Sequence, residues 1–154
     1  IIDYTHGRKS TFFYFIDLPV KHIDFTDPYC AIMRSNWQQA AHSIDETIIN
    51  HGVYAATQGP RLETAAEINR LERDGATIVG MTGMPEAALA RELGISYAAI
   101  CPVANQAAGR GKSLHGIQYE DVIENLNQTM VRVRNIIGAL VKLNGLCKIN
   151  TQKK

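Results

Sequence analysis

Apolar residues follow two rhythms along this chain, and the two alternate. Short runs that are apolar at nearly every position occupy residues 52–57, 76–81 and 97–103. Runs of that length, bounded by Gly52, Gly59 or Pro60 and similar punctuation, predict strands buried on both faces. Residues 10–16, Ser-Thr-Phe-Phe-Tyr-Phe-Ile, are aromatic and β-branched and predict a further strand. Elsewhere the apolar residues return every three or four positions. Residues 28–50 read as a helix opened by Pro28, with Ile32, Ala40, Ile44 and Ile48 as its apolar positions. Residues 63–73 read as a second helix, with Ala66, Ile68 and Leu71 inward and Gly75 just beyond its end. Residues 85–93 form a third, with proline in the first turn and Gly94 as the stop. A long amphipathic helix is predicted over 120–143, carrying Val122, Leu126, Met130, Val133, Ile137 and Leu140. Residues 17–27 read as a loop and the tail from Asn150 as frayed.

Strands that alternate with short helices imply parallel β-α-β units and an α/β fold. Composition narrows the class without changing that picture. Hydrophobic residues are 45% and charged residues 20% of the 154, which suits one soluble domain. The net charge of +1 is spread along the chain, with no basic footprint for nucleic acid or an anionic membrane. Arg132 and Arg134 read as a solvated helix face. No apolar run is long enough to span a bilayer, and no signal peptide is visible. Cys30, Cys101 and Cys147 are odd in number and irregular in spacing, so neither a disulfide framework nor a zinc site is indicated. The five histidines, His6, His22, His42, His51 and His115, show no ligand spacing. A reducing cytoplasm is the expected compartment. The opening Ile1-Ile2-Asp3-Tyr4 reads as the interior of a domain. The expectation is a single domain over 1–154.

In open α/β sheets, ligands gather at the carboxyl ends of the strands. Three polar clusters fall there: Gln58-Gly-Pro-Arg-Leu-Glu63, Met81-Thr-Gly83 and Ala104-Asn-Gln106. Glu63, Thr82 and Asn105 are expected to converge. The same residue types also make ordinary turns, and Thr82 ahead of Pro85-Glu86 fits an N-cap.

Longer motifs give these clusters a meaning. Residues 52–67, Gly-Val-Tyr-Ala-Ala-Thr-Gln-Gly-Pro-Arg-Leu-Glu-Thr-Ala-Ala-Glu, resemble the Gly-x-Tyr…Gly-Pro-x-(Phe/Leu)-Glu-Thr-x-Ala-Glu signature of the purine nucleoside phosphorylase family. Residues 80–91, Gly-Met-Thr-Gly-Met-Pro-Glu-Ala-Ala-Leu-Ala-Arg, resemble that family's Gly-Met-(Ser/Thr)-x-x-Pro-Glu segment. Val103-Ala-Asn105 looks like its base-binding strand end. Residues 22–28, His-Ile-Asp-Phe-Thr-Asp-Pro, are similar to a segment of the family's methylthio-nucleoside branch.

The resemblance implies a central mixed β-sheet flanked by helices, assembled as a homotrimer. It implies a purine nucleoside and inorganic phosphate as substrates in purine salvage, with no other cofactor. It also implies roles. Leu62 would lie against the purine. Glu63 and Asn105 would read its edge, Met81 would pack under the ribose, and Thr82 would contact phosphate or ribose hydroxyls. Tyr54 would line the ribose side, Tyr119 and Val122 the 5′ substituent, and His22 would reach a neighbouring subunit's 5′ pocket. Tyr54 and Tyr119 also fit plain core packing.

Phosphorolysis moves electron density onto the departing purine, so its site must place donors near N7 and the C6 substituent. An asparagine amide donates there, and a carboxylate accepts from N1–H. The Glu63/Asn105 pair thus complements a 6-oxopurine, and Ala107 removes a second acidic position. His22, Val122 and Ile123 suggest a weakly polar 5′ pocket. Together these indicate 5′-methylthioinosine, with methylthioadenosine, inosine and guanosine as alternatives. The family's Gly-rich loop and Arg-His phosphate segment are not in this chain, and His6-Gly7-Arg8 is not that segment, because it follows a strand that the resemblance places mid-domain; the resemblance thus implies a single partial domain over 1–154 without its N-terminal phosphate-binding portion, either a fragment or a chain completed by another polypeptide. A catalytically silent remnant that keeps oligomerising or nucleoside-binding surfaces is the reading from another class.

Overall fold

The computed structural model describes residues 1–15 and 19–145. In chain order it contains β1 (Ile2–Asp3), a 3-10 turn (Phe12–Phe15), α1 (Ala31–His42), β2 (Tyr54–Ala56), α2 (Ala65–Arg73), β3 (Ile78–Gly80), α3 (Glu86–Glu92), a second 3-10 turn (Gly111–Ser113) and α4 (Tyr119–Gly145). The fold is α/β. The sheet order is β1-β2-β3, and both pairs are parallel, with Ala55 opposite Ile2 and Val79, and Ala56 opposite Asp3 and Gly80. The antiparallel member expected of a mixed sheet is not among the described strands.

The β2-α2-β3-α3 unit forms because each local signal agrees with the others. Thr64 caps α2, its hydroxyl accepting from Glu67 N at 3.1 Å while the Glu67 carboxylate accepts from Thr64 N at 2.7 Å. Gly75, at φ +93°, closes the helix where a side chain would be strained. Ile68 and Leu71 then turn onto the sheet and bury against Ala55. The next residue, Ala56, faces the opposite side and packs with Met84 and Ala87 around α3. Two adjacent buried alanines thus let helices approach both faces of β2. A third cluster joins α1 to α4 through Ala40, Ala41, Ile136 and Ala139.

Three sequence expectations need correction. Residues 12–15 form a 3-10 turn, not a strand, and Phe12 N donates to Glu92 Oε2 at 2.8 Å instead of to a neighbouring strand. Aromatic content reports fitness for a half-buried pleat and does not by itself supply a strand partner. The end of that predicted strand, Ile16, and the first loop residues Asp17 and Leu18 lie outside the described residues, as do Cys147 and the tail at 150–154.

The helix expected over 28–50 spans only Ala31–His42. Beyond it Glu46 N returns to Ala41 O at 2.9 Å, and Asp45 takes a left-handed φ of 56°, which ends the helical path. Residues 97–103 join no ladder; Tyr97 O instead accepts from Cys30 N at 2.7 Å. The strand that the resemblance places ahead of His6-Gly7-Arg8 is present as β1. It is two residues long and exists through pairing with β2, extended by Tyr4 N donating to Ala56 O at 2.8 Å.

Candidate functional site

The site is built where β2 and β3 end. Thr57 N donates to Gly80 O at 2.8 Å, the last rung before the strands part. The loop after β2 then carries Leu62 and Glu63, and the loop after β3 carries Met81 and Thr82.

Two glycines let these loops approach. A Cβ on Gly80 would sit 2.1 Å from Tyr54 Oη, so the Tyr54 ring can cross β3 only because position 80 has no side chain. The hydroxyl that crosses reaches Thr82: it accepts from Thr82 N at 3.2 Å and lies 3.2 Å from Thr82 Oγ1. Gly59 adopts φ +62°, and a Cβ there would meet Met81 Sδ at 2.4 Å. Met81 therefore lies against the turn that leads to Glu63.

The Glu63 carboxylate is half-buried and oriented, accepting from Thr57 Oγ1 at 2.7 Å. Gly80 O, at 3.3 Å, is a weaker second acceptor for the same hydroxyl. Thr57 thus couples the carboxylate to the end of the sheet. Ahead of α2, Arg61 makes two bonds to Glu67, at 2.8 and 3.0 Å. That guanidinium, with Thr64 N, holds the Glu67 carboxyl down at about 2.

A cleft of about 1210 Å³ opens between the outer edge of β3 and the segment around 99–105. Tyr54, Leu62, Glu63, Met81, Thr82 and Asn105 all line it. Asn105 is exposed, and its Nδ2 donates to Gln106 O at 2.8 Å. Tyr29 and Tyr97 stack on the same wall, 6.0 Å between centroids and 18° between planes. Burial pushes the Tyr29 phenol up to about 12 and raises Tyr97 as well, so both stay neutral around neutral pH. Among the described residues no group of three or more His, Cys, Asp or Glu could hold a metal ion.

A large part-apolar cleft with a carboxylate, an amide and a hydroxyl facing it can hold a flat heterocycle and hydrogen-bond its edge. The family profile described as the phosphorylase superfamily matches residues 1–142. The chain belongs to that family. This superfamily chain is 48% identical over 142 residues to a probable S-methyl-5′-thioinosine phosphorylase of Xanthomonas campestris, covering 92% of the chain and 56% of that protein. A protein of the same description from Xylella fastidiosa is 54% identical over 111 residues, covering 72% of the chain and 45% of that protein. The chain thus spans about half the length of these relatives. Among solved structures, an adenosine/methylthioadenosine phosphorylase double mutant from Schistosoma mansoni, in complex with adenine, superposes with a TM-score of 0.86 at 27% identity. The match covers 97% of the chain and 60% of that structure.

Three residues of the phosphorylase motifs stand away from the cleft. His22 is exposed on the loop before α1. Tyr119 and Val122 lie in the first turn of α4, and Tyr119 is 63% exposed. His22 was expected to serve a neighbouring subunit, and Tyr119 and Val122 to border the 5′ substituent; α4, which carries the latter two, is aimed by ties that a linear pattern does not display. Asn125 Nδ2 donates to Ala104 O at 3.0 Å, and Arg132 Nε donates to Glu46 Oε2 at 2.7 Å.

Sequence reasoning named Gln58 only within a polar cluster and Arg8 only to set it apart from a phosphate segment, and gave neither a role. Arg8 donates to the carbonyls of Thr57, Gln58, Met81 and Met84 and to the Gln58 side chain. The one available signal was an arginine shortly after Ile1-Ile2-Asp3. Its meaning depended on recognising those residues as a strand beside β2.

Proposed function

We propose that the complete protein cleaves the glycosidic bond of a 6-oxopurine nucleoside with inorganic phosphate, and that its substrate is 5′-methylthioinosine. The observation that carries this reading is the shared cleft of Glu63, held by Thr57, and Asn105. The similarity to the probable S-methyl-5′-thioinosine phosphorylases of Xanthomonas and Xylella supports the same substrate.

In this reading phosphate attacks C1′ as the C1′–N9 bond breaks, giving hypoxanthine and 5-methylthioribose 1-phosphate. Leu62 packs on the base and Met81 beneath the ribose. The Glu63 carboxyl group accepts from N1–H. Asn105 exchanges its bond to Gln106 O for one to O6 or N7, where negative charge accumulates as the base departs. Thr82, oriented by Tyr54, contacts phosphate or the ribose hydroxyls.

The chain is read as the carboxyl-terminal part of a longer phosphorylase. Its coverage of only 56% of the Xanthomonas relative supports this, as does the outer edge of β3, which has no ladder partner among the described residues. A preceding segment would supply the phosphate loop. His22, Tyr119 and Val122 are assigned to the 5′ side, with His22 serving a neighbouring subunit of a homotrimer. The assembly is cytoplasmic in this reading.

The test is purine release by the complete protein from methylthioinosine, methylthioadenosine, inosine and guanosine, each with and without phosphate. Phosphate-dependent release, fastest with methylthioinosine, is expected. Release that ignores phosphate, or no release from any of the four, sinks the reading.

A further inference from the structure

We propose that Arg8 is a positioning residue that fixes the two substrate-bearing loops relative to each other. The inference rests on the nucleoside cleft proposed above and adds to it a residue that lines none of its walls.

The Arg8 side chain enters from the segment after β1 and is half-buried. Its Nη2 donates to Thr57 O at 3.3 Å, Gln58 O at 3.1 Å and Met81 O at 3.1 Å. Its Nη1 donates to Met84 O, and its Nε to Gln58 Oε1 at 3.2 Å. Gln58 Oε1 also accepts from His6 N at 3.2 Å, so the same segment grips the loop twice.

These acceptors lie just beyond the last ladder rung, Thr57 N to Gly80 O. There the backbone carbonyls of two parallel strands lose their partners and need donors from elsewhere. One planar guanidinium supplies donors to both loops at once. Thr57 and Gln58 lead to Leu62 and Glu63, while Met81 and Met84 flank Thr82. The distance between base-reading and ribose-reading groups therefore depends on Arg8.

The geometry also separates this role from a substrate contact. The guanidinium is already held by five oxygens of its own chain, so it is poorly placed to serve a phosphate anion. A lysine keeps the charge but offers a point of three donors instead of a fork, and it cannot reproduce this set. Misplacing a reacting group by about 1 Å costs on the order of 100-fold in rate, even when the change is remote.

The experiment compares wild type, Arg8→Lys, Gln58→Met and Arg34→Ala in the complete protein. Arg34 ties α1 to Asn50, lines no part of the cleft and serves as a destabilised control. Steady-state rates are read for methylthioinosine and methylthioadenosine, and amide exchange for residues 57–63 and 81–84. Arg8→Lys should lower kcat by about 10- to 100-fold, with a smaller change in KM and a narrowed preference between the two bases. Exchange should quicken in both loops together. Gln58→Met, the milder lesion, should shift the same quantities in the same direction, and it carries the test if Arg8→Lys does not fold. Arg34→Ala should keep the wild-type kcat and base preference.

The idea fails if Arg8→Lys and Gln58→Met lower only the unfolding temperature and leave kcat, base preference and loop exchange as in wild type. It also fails if only one loop loosens. The exchange result does not depend on the reaction assigned, so inactivity of the wild type would count against the proposed function, not against the clamp.

Discussion

Thr57→Val isolates the bond that orients the proposed base-reading carboxylate. The substitution keeps the β-branched shape and removes the hydroxyl that donates to Glu63 Oε1 at 2.7 Å. The rung from Thr57 N to Gly80 O and the Thr57 carbonyl that Arg8 uses are backbone groups and remain. A hydrogen bond to a charged group contributes about 1.5–3 kcal/mol. Glu63 is only half-buried, so water replaces part of the loss, and the lower half of that range applies. That corresponds to a drop of roughly 10- to 30-fold in kcat/KM for a 6-oxopurine nucleoside, taking 1.4 kcal/mol as tenfold. A 6-aminopurine has no proton on N1 to give Glu63, so methylthioadenosine should lose about threefold or less. Thr57→Ser should recover most of the activity. The assay is initial-rate phosphorolysis of the two nucleosides by wild type, Thr57→Val and Thr57→Ser. Equal losses on both bases, or no loss on methylthioinosine, would refute the reasoning.

Two further changes test the supports of the cleft. Gly80→Ala drives a methyl to within 2.1 Å of Tyr54 Oη; it should cost about 1–3 kcal/mol in urea unfolding, and Tyr54→Ala in the same protein should recover part of that, whereas additive losses would contradict the packing. Arg61→Ala should raise the Glu67 carboxyl from about 2 toward its ordinary value near 4.5, read by NMR titration. Because the folded value is depressed, the pair stabilises above about pH 4.5 and that contribution disappears as pH falls through 2; the gap in unfolding midpoint between wild type and variant should close over this window, and a gap independent of pH would contradict the pairing.

The legible part of the fold was the local part. The β2-α2-β3-α3 unit announced itself because Thr64, Glu67, Gly75 and the pair Ile68/Leu71 all act within a few residues of one another. The polar residues after those strands were legible for the same reason, since a parallel ladder sends successive loops to one end. What was not legible depended on distant partners. Ile2 and Asp3 are a strand because Ala55 and Ala56 lie beside them, and only the resemblance placed a strand there. Residues 97–103 have strand composition, yet the cleft separates them from β3, and composition does not record which edge is free. The stop of α1 rests on a left-handed Asp45, a residue that tolerates that conformation without demanding it. Arg8 was hidden by its acceptors, which are mostly backbone carbonyls with no signature in the residue types.

The central claim is that Glu63 and Asn105 together select a 6-oxopurine. The most direct measurement is the ratio of kcat/KM for methylthioinosine to that for methylthioadenosine, taken in the complete wild-type protein and in Asn105→Asp. Wild type should favour methylthioinosine, because N1–H meets Glu63 and O6 or N7 meets the Asn105 amide. Loss of one such donor costs on the order of 3 kcal/mol of transition-state stabilisation, so Asn105→Asp should move the ratio toward methylthioadenosine by a factor of about 10 to 100. A wild type that cleaves methylthioadenosine better, or a ratio that Asn105→Asp leaves unchanged, would contradict the account.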